Sequence, residues 1–204
     1  MTWYHIGAFS FPASWVAIAA SSFMTIVVLY LLKEKKIADL YSNALFLCFV
    51  VWKLSIVLFE FSISVSHPMS ILYFNGGTKG FFLGIAVGML YLLKKIRIDH
   101  EVDALGIAWV FQGASFELLV QALNGFDLIP MCVQLAGNAL LVTFMIKAKK
   151  EKNHSFILQL QTLFLLFQGF IDSNKGALLT PSLFSYLLLY LLMLIFYWKR
   201  RSTE

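Results

Sequence analysis

Charge is what this sequence has least of. Of its 204 residues, 13% are charged, about half the share that a water-soluble domain carries, so the soluble globular class is excluded. Cysteine is scarce too: Cys48 and Cys132 each lie in an apolar run, with no CxxC and no ligand spacing. A disulfide scaffold, a metal site and a dithiol redox pair are thereby excluded, and both thiols are expected as small buried hydrophobes. No cofactor is expected. No basic stretch precedes the first apolar run, which is long enough to span a bilayer, so no cleavable signal peptide is expected. The alternating pattern of a membrane barrel is also missing.

What the sequence does have is hydrophobicity: 60% of residues are apolar and mean hydropathy is +0.79. Apolar runs fall at about 11–32, 43–65, 80–93, 104–123, 128–146, 155–171 and 178–198. Runs near 20 residues cross a bilayer as helices, and in lipid only helices or closed barrels satisfy every backbone polar group. The expected fold is therefore an all-α bundle of seven transmembrane helices, with residues 1–204 forming a single membrane domain. Of the 16 Lys and Arg, 13 fall in four clusters, at Lys33–Lys36, Lys94–Arg97, Lys147–Lys152 and Lys199–Arg201. These follow the first, third, fifth and seventh runs, so all four lie on one side. The positive-inside rule makes that side cytoplasmic, with the N-terminus outside and the C-terminus inside. The net charge of +5 is thus a matter of topology and anionic-lipid contact, not of nucleic acid.

Once these clusters are set aside, few charges remain. Lys53 and Glu60 lie in the second run, Glu117 in the fourth, Asp172 and Lys175 at the end of the sixth, and Lys79 at the start of the third. A charge within the membrane costs about 2.5–3.5 kcal/mol on insertion scales and marks a functional site by default. One such charge alone fits interhelical pairing or snorkelling. Six on four segments point to a shared polar cavity at the outer face, with Lys53 near mid-helix, Glu117 as its nearest acidic partner, and Lys79 and Lys175 at the mouth. The amides Gln112, Gln121, Gln134, Asn138, Gln159, Gln161 and Gln168 fit hydrogen bonds between helices, and Gly84 and Gly88 form a GxxxG suited to close packing. Gly76 and Gly77, in "HPMSILYFNGGTKGFFLGI" at 67–85, let the chain turn at the outer face, and their backbone amides could meet a headgroup.

Several segments resemble the bacterial prolipoprotein diacylglyceryl transferases. "IGAFSFPASW" resembles the family's opening into helix 1, and "VVWKLSIVLFE…SHPMSILYFNGG" its second helix, His-Pro and double-glycine segment. "IPMCVQLAGNALLVTFMIKAKKEK" resembles the helix that ends in a basic run. "FQGFIDSNKG" and "LLTPSLFSYLLLYLLMLIFYWKRR" resemble the charged sixth segment and the last helix. The resemblance implies a seven-helix protein of the bacterial cytoplasmic membrane that binds a phospholipid, phosphatidylglycerol in that family, and meets a lipoprotein signal peptide. It implies headgroup contacts for Lys53, Gly76, Gly77, Lys79, Glu117, Gln134, Asp172 and Lys175.

The departures fall on the reacting groups. "GGTKGFFLGI" lacks the family's His after the double glycine, and "QGASFELLV" places Glu117 where the family has Arg. Lys53 replaces an Arg, and Lys holds phosphate as a point charge where Arg holds it bidentately. The family's head between helices 4 and 5 shrinks here to "NGFD". His67 corresponds to the structural His-Pro rather than to the missing base. The expectation is a lipid-binding cavity without transferase chemistry. An active transferase rebuilt around Glu117 as general base and a structural or assembly partner of another membrane protein are the alternatives.

Overall fold

The computed structural model describes residues 2–6, 9–66, 74–96, 99–125, 128–174, 176 and 180–201. Two short strands, β1 (Trp3–Ile6) and β2 (Phe9–Pro12), pair antiparallel with Trp3 opposite Pro12. The helices are α1 (Ala13–Leu31), α2 (Lys35–Leu54), α3 (Ile56–Phe59), α4 (Phe61–Ser66), α5 (Gly77–Lys95), α6 (Asp99–Asn124), α7 (Leu128–Lys150), α8 (His154–Asn174) and α9 (Pro181–Arg201). With α2 and α3 taken as one span, seven of them are long and apolar enough to cross a membrane. The expected seven-helix all-α membrane bundle is therefore the observed architecture, and this is a multi-pass membrane protein.

The second span differs from expectation in a way that matters. It runs Lys35–Phe59 rather than 43–65. Its first turns carry Asp39, Ser42 and Asn43 on an exposed side, while Ile37, Ala38, Tyr41 and Ala44 are buried. The polar residues interrupt the apolar run without interrupting the helix, and Asp39 accepts a hydrogen bond from the Tyr30 hydroxyl at 2.9 Å. Lys53 therefore lies in the last turn of α2, not at mid-span.

One helix is central. Every residue from Glu101 to Val110 is buried, and 72% of the α6 window is enclosed against 17–33% for the other spans. Its small residues make the approach possible: a Cβ on Gly113 would stand 2.9 Å from both the Phe164 and Tyr186 rings. The large apolar side chains, Phe23, Phe46, Phe170 and Leu191 among them, point outward. Lipid solvates them there, so helix association relies on small and polar contacts instead.

α5 packs on α2 along Gly76, Gly80, Gly84 and Gly88, a stripe four residues apart that extends the expected Gly84–Gly88 pair by two turns. A Cβ at Gly84 would meet the Cys48 carbonyl oxygen at 2.5 Å, and one at Gly80 the Ser55 hydroxyl at 2.0 Å. Cys48 is half-buried in this seam. Cys132 is exposed, not buried as expected, because it faces away from the bundle near the start of α7; both thiols are free.

The four basic clusters mark one end of the bundle. There Glu34 takes Lys149 and His100 (3.3 Å), Glu101 takes Lys36, and buried Asp103 takes His154 (2.5 Å) and the Tyr197 hydroxyl (3.0 Å). Acidic groups in the first turns of α6 also suit its positive dipole end. Two of the turns at this end share a geometry. Lys33 and Lys152 adopt φ of 63° and 56°, and the next residue's amide bonds back to the carbonyl of Leu29 or Ala148 (2.9 Å each). This is the Schellman closure, with lysine where glycine is usual. At the other end, the β-hairpin docks on the last turn of α6. Thr2 Oγ1 and the Tyr4 hydroxyl donate to the Leu123 carbonyl (2.9 and 3.0 Å), and the Thr2 amide donates to Asn124 Oδ1 (2.7 Å).

Candidate functional site

Glu117 on α6 and Asp172 on α8 are each 6% exposed. The Tyr186 hydroxyl donates to Glu117 Oε1 at 3.0 Å. Gly113, one turn before Glu117, has no side chain and so leaves room for the Tyr186 ring. Thr180 caps α9: its hydroxyl accepts from the Leu183 amide (3.1 Å) and donates to Asp172 Oδ2 (2.6 Å), with the Ser182 hydroxyl 3.0 Å away. Two carboxylates and three hydroxyls from three elements thus gather toward the hairpin end. Burying carboxylates in a bundle is expensive unless they are hydrogen-bonded, and here hydroxyl donors serve both.

A second polar assembly lies beside it. Gln121 donates to Gln134, Gln134 Nε2 donates to Gln168 Oε1 (3.0 Å), and Gln168 Nε2 donates to Asn138 Oδ1 (3.1 Å). This four-amide chain ties α6, α7 and α8 together. The expected headgroup ligand Gln134 is fully buried within it. A third cluster joins α1 to α6: Gln112 donates to Ser21 (2.8 Å) and Ser22 (3.1 Å) and accepts from Thr25 (3.0 Å).

The α2–α5 connection is organised differently from expectation. Lys53 Nζ donates to the Phe74 carbonyl at 2.8 Å, and the ion pairs among the described residues include none between Lys53 and Glu117. The Gly76 and Gly77 amides, expected to be available to a headgroup, are engaged within the protein. Gly76 donates to the Trp52 carbonyl (3.1 Å) and Gly77, at φ 59°, to Asn75 Oδ1 (2.9 Å). The Gly77 carbonyl in turn accepts from Trp52 Nε1 (3.1 Å). Lys79 is exposed on the first turn of α5. Lys175 and His67 lie outside the described residues.

Glu117 and Asp172 are thus each bonded to a hydroxyl near the start of α9, Lys53 and Lys79 stand on a neighbouring segment toward the same end, and Gln134 belongs to the amide chain. Tyr186, Thr180 and Ser182 are site residues that sequence reasoning missed. Thr-Pro at the start of the last span was the available signal, since Thr and Pro suit the N-cap and first helical positions. Two openings in the surface are lined by other residues. One is an apolar groove of about 550 Å3 beside Phe11, Trp15 and Ala19, and the other a cleft of about 290 Å3 between α6 and α7. Comparison with family models, curated proteins and solved structures finds no match for this chain.

Proposed function

We propose that this is a protein of the bacterial cytoplasmic membrane, N-terminus outside, that holds a phospholipid headgroup at its outer end and resembles the prolipoprotein diacylglyceryl transferases without carrying out their transfer. The hydrogen bonds from Tyr186 to Glu117 and from Thr180 to Asp172, which tie both carboxylates to the start of α9 at the end away from the basic clusters, carry this reading. Carboxylate and hydroxyl groups are acceptors and donors for a polyol. A glycerol headgroup would meet Glu117, Asp172, Thr180 and Tyr186, while Lys53 and Lys79 would face its phosphate as point charges. Phosphatidylglycerol has both parts. The orientation rests on the positive-inside rule, applied to four basic clusters that follow alternate spans.

The transfer reaction is not assigned, because "GGTKGFFLGI" lacks the His that follows the double glycine in the family it resembles. His5, on the hairpin, is occupied with Ser10 at 2.9 Å. The test is lipid retention. Protein purified from membranes and analysed intact by mass spectrometry should keep phosphatidylglycerol over phosphatidylcholine, and Glu117→Gln with Asp172→Asn should lose that preference. Equal retention of both lipids would overturn the reading. A second reading, a rebuilt transferase with Glu117 as base, is favoured by the Tyr186–Glu117 hydrogen bond. Growth of a strain depleted of its diacylglyceryl transferase, with thioether lipid on a reporter lipoprotein, would establish it instead.

A further inference from the structure

The four-amide chain runs in one direction, so it leaves one donor over at Asn138 and one acceptor over at Gln121. Asn138 Nδ2 and Gln121 Oε1 are both buried and without a partner. Asn138 lines the 290 Å3 cleft between α6 and α7, whose walls include Phe111, Leu118 and Leu135. Ser115, on the α6 wall, is 7% exposed, and its hydroxyl makes no hydrogen bond among the described residues. The α7 wall includes Ala139 and Thr143, both exposed on the outer surface of the bundle, so the cleft communicates with lipid.

Depth restricts what could enter. Asn138 is the eleventh of the 23 residues of α7, about 15 and 18 Å from its two ends at 1.5 Å per residue. With a hydrocarbon core about 30 Å thick, that is the midplane. Phospholipid ester carbonyls lie at the edge of the core, half its thickness away, and a charged group would be expensive at this depth. An unmet amide donor in hydrocarbon is destabilising, which favours any neutral acceptor that arrives through the lipid.

We propose that the α6–α7 cleft binds a neutral, lipid-soluble compound through a carbonyl oxygen that accepts from Asn138 Nδ2 and the Ser115 hydroxyl. The cleft is about as large as the smallest ligand pockets, so it holds the carbonyl-bearing head while an apolar tail remains in lipid. Quinones with alkyl or prenyl tails and diacylglycerols share this chemistry. The site is separate from the Glu117–Tyr186 cluster and does not depend on its function.

The experiment uses the full chain in phosphatidylcholine nanodiscs, with decylubiquinone and 1,2-dioctanoylglycerol as probes. Unfolding temperature and the infrared carbonyl stretch of isotope-labelled probe are followed. At least one probe should raise the unfolding temperature saturably, with its carbonyl band moved to lower frequency, and which one does so identifies the source of the carbonyl. Ser115→Ala should weaken binding about two- to tenfold, the size of one neutral hydrogen bond. Ala139→Phe fills the cleft from an exposed position without touching the amide chain, and should abolish binding. Failure of both probes to saturate, an unmoved carbonyl band, or unchanged binding to Ala139→Phe overturns the proposal.

Discussion

Replacing Gly84 by alanine adds one methyl group where the α2–α5 seam brings backbone closest to backbone. Its Cβ would lie 2.5 Å from the Cys48 carbonyl oxygen, 3.2 Å from the carbonyl carbon and 3.3 Å from Cα. All three are backbone atoms, so no side-chain rotation relieves the clash. Restoring ordinary contact near 3.5 Å requires the two helices to part by about 1 Å. The separation would also loosen the contacts at Gly80 and Gly88, which share the stripe. Overpacking of this kind costs about 1–3 kcal/mol. In water, alanine would recover about 1 kcal/mol through helix propensity. In lipid the span remains helical even when its neighbours separate, so that gain largely drops out and the packing cost stands. Gly169→Ala is the control, since a Cβ there meets only the Leu183 methyl groups, at 4.0 Å. Thermal unfolding in mild detergent should show Gly84→Ala less stable than wild type by roughly 1–3 kcal/mol and Gly169→Ala within about 0.5 kcal/mol of it. A Gly84→Ala variant as stable as Gly169→Ala would refute the reasoning.

Tyr186→Phe removes the hydroxyl donor of a buried carboxylate and should cost about 1.5–3 kcal/mol. Combining it with Glu117→Gln should cost less than the sum of the two single losses, and strict additivity in the same unfolding assay would show the groups to be uncoupled. Lys152→Gly should raise stability by about 1 kcal/mol, because glycine adopts the left-handed turn without the penalty lysine carries; an unchanged or lower unfolding temperature would speak against strain there. For orientation, single cysteines in a Cys48→Ser, Cys132→Ser background give the readout. Asn174→Cys should react with an impermeant maleimide in intact cells and Lys150→Cys only after permeabilisation, and the reverse pattern would invert the topology.

The number and approximate position of the spans were legible in the sequence because lipid demands long apolar runs. Their ends were not. The first turns of α2 carry Asp39 and Ser42, which fell before the expected run although the helix continues through them with its buried face intact. That earlier start places Lys53 in the last turn of α2, past the middle of the span, where it donates to the Phe74 carbonyl. The polar interior was legible as a set of residues: Glu117, Asp172 and the glutamines were all visible as misfits in a greasy sequence. Which misfits meet was not, because Gln121, Gln134, Gln168 and Asn138 come together only when three helices pack. The centrality of α6 was hidden for a related reason. Its window hydropathy of 1.2 equals that of α5, since a helix enclosed by other helices has no need to be more apolar than they are. The N-terminal hairpin gave no warning either; Trp3–Ile6 and Phe9–Pro12 are too short for a reliable alternation.

That hairpin imposes an order on the making of the protein. The hydrogen bonds from Thr2 and Tyr4 reach residues 119 to 122 positions further along the chain, to the far end of the fourth span. During synthesis the first ten residues have no docking site until that span has been inserted. By then four helices must stand in the bilayer with the right polarity, for otherwise Leu123 and Asn124 emerge on the wrong side. Closure of the hairpin therefore reports on the insertion of the first half of the protein.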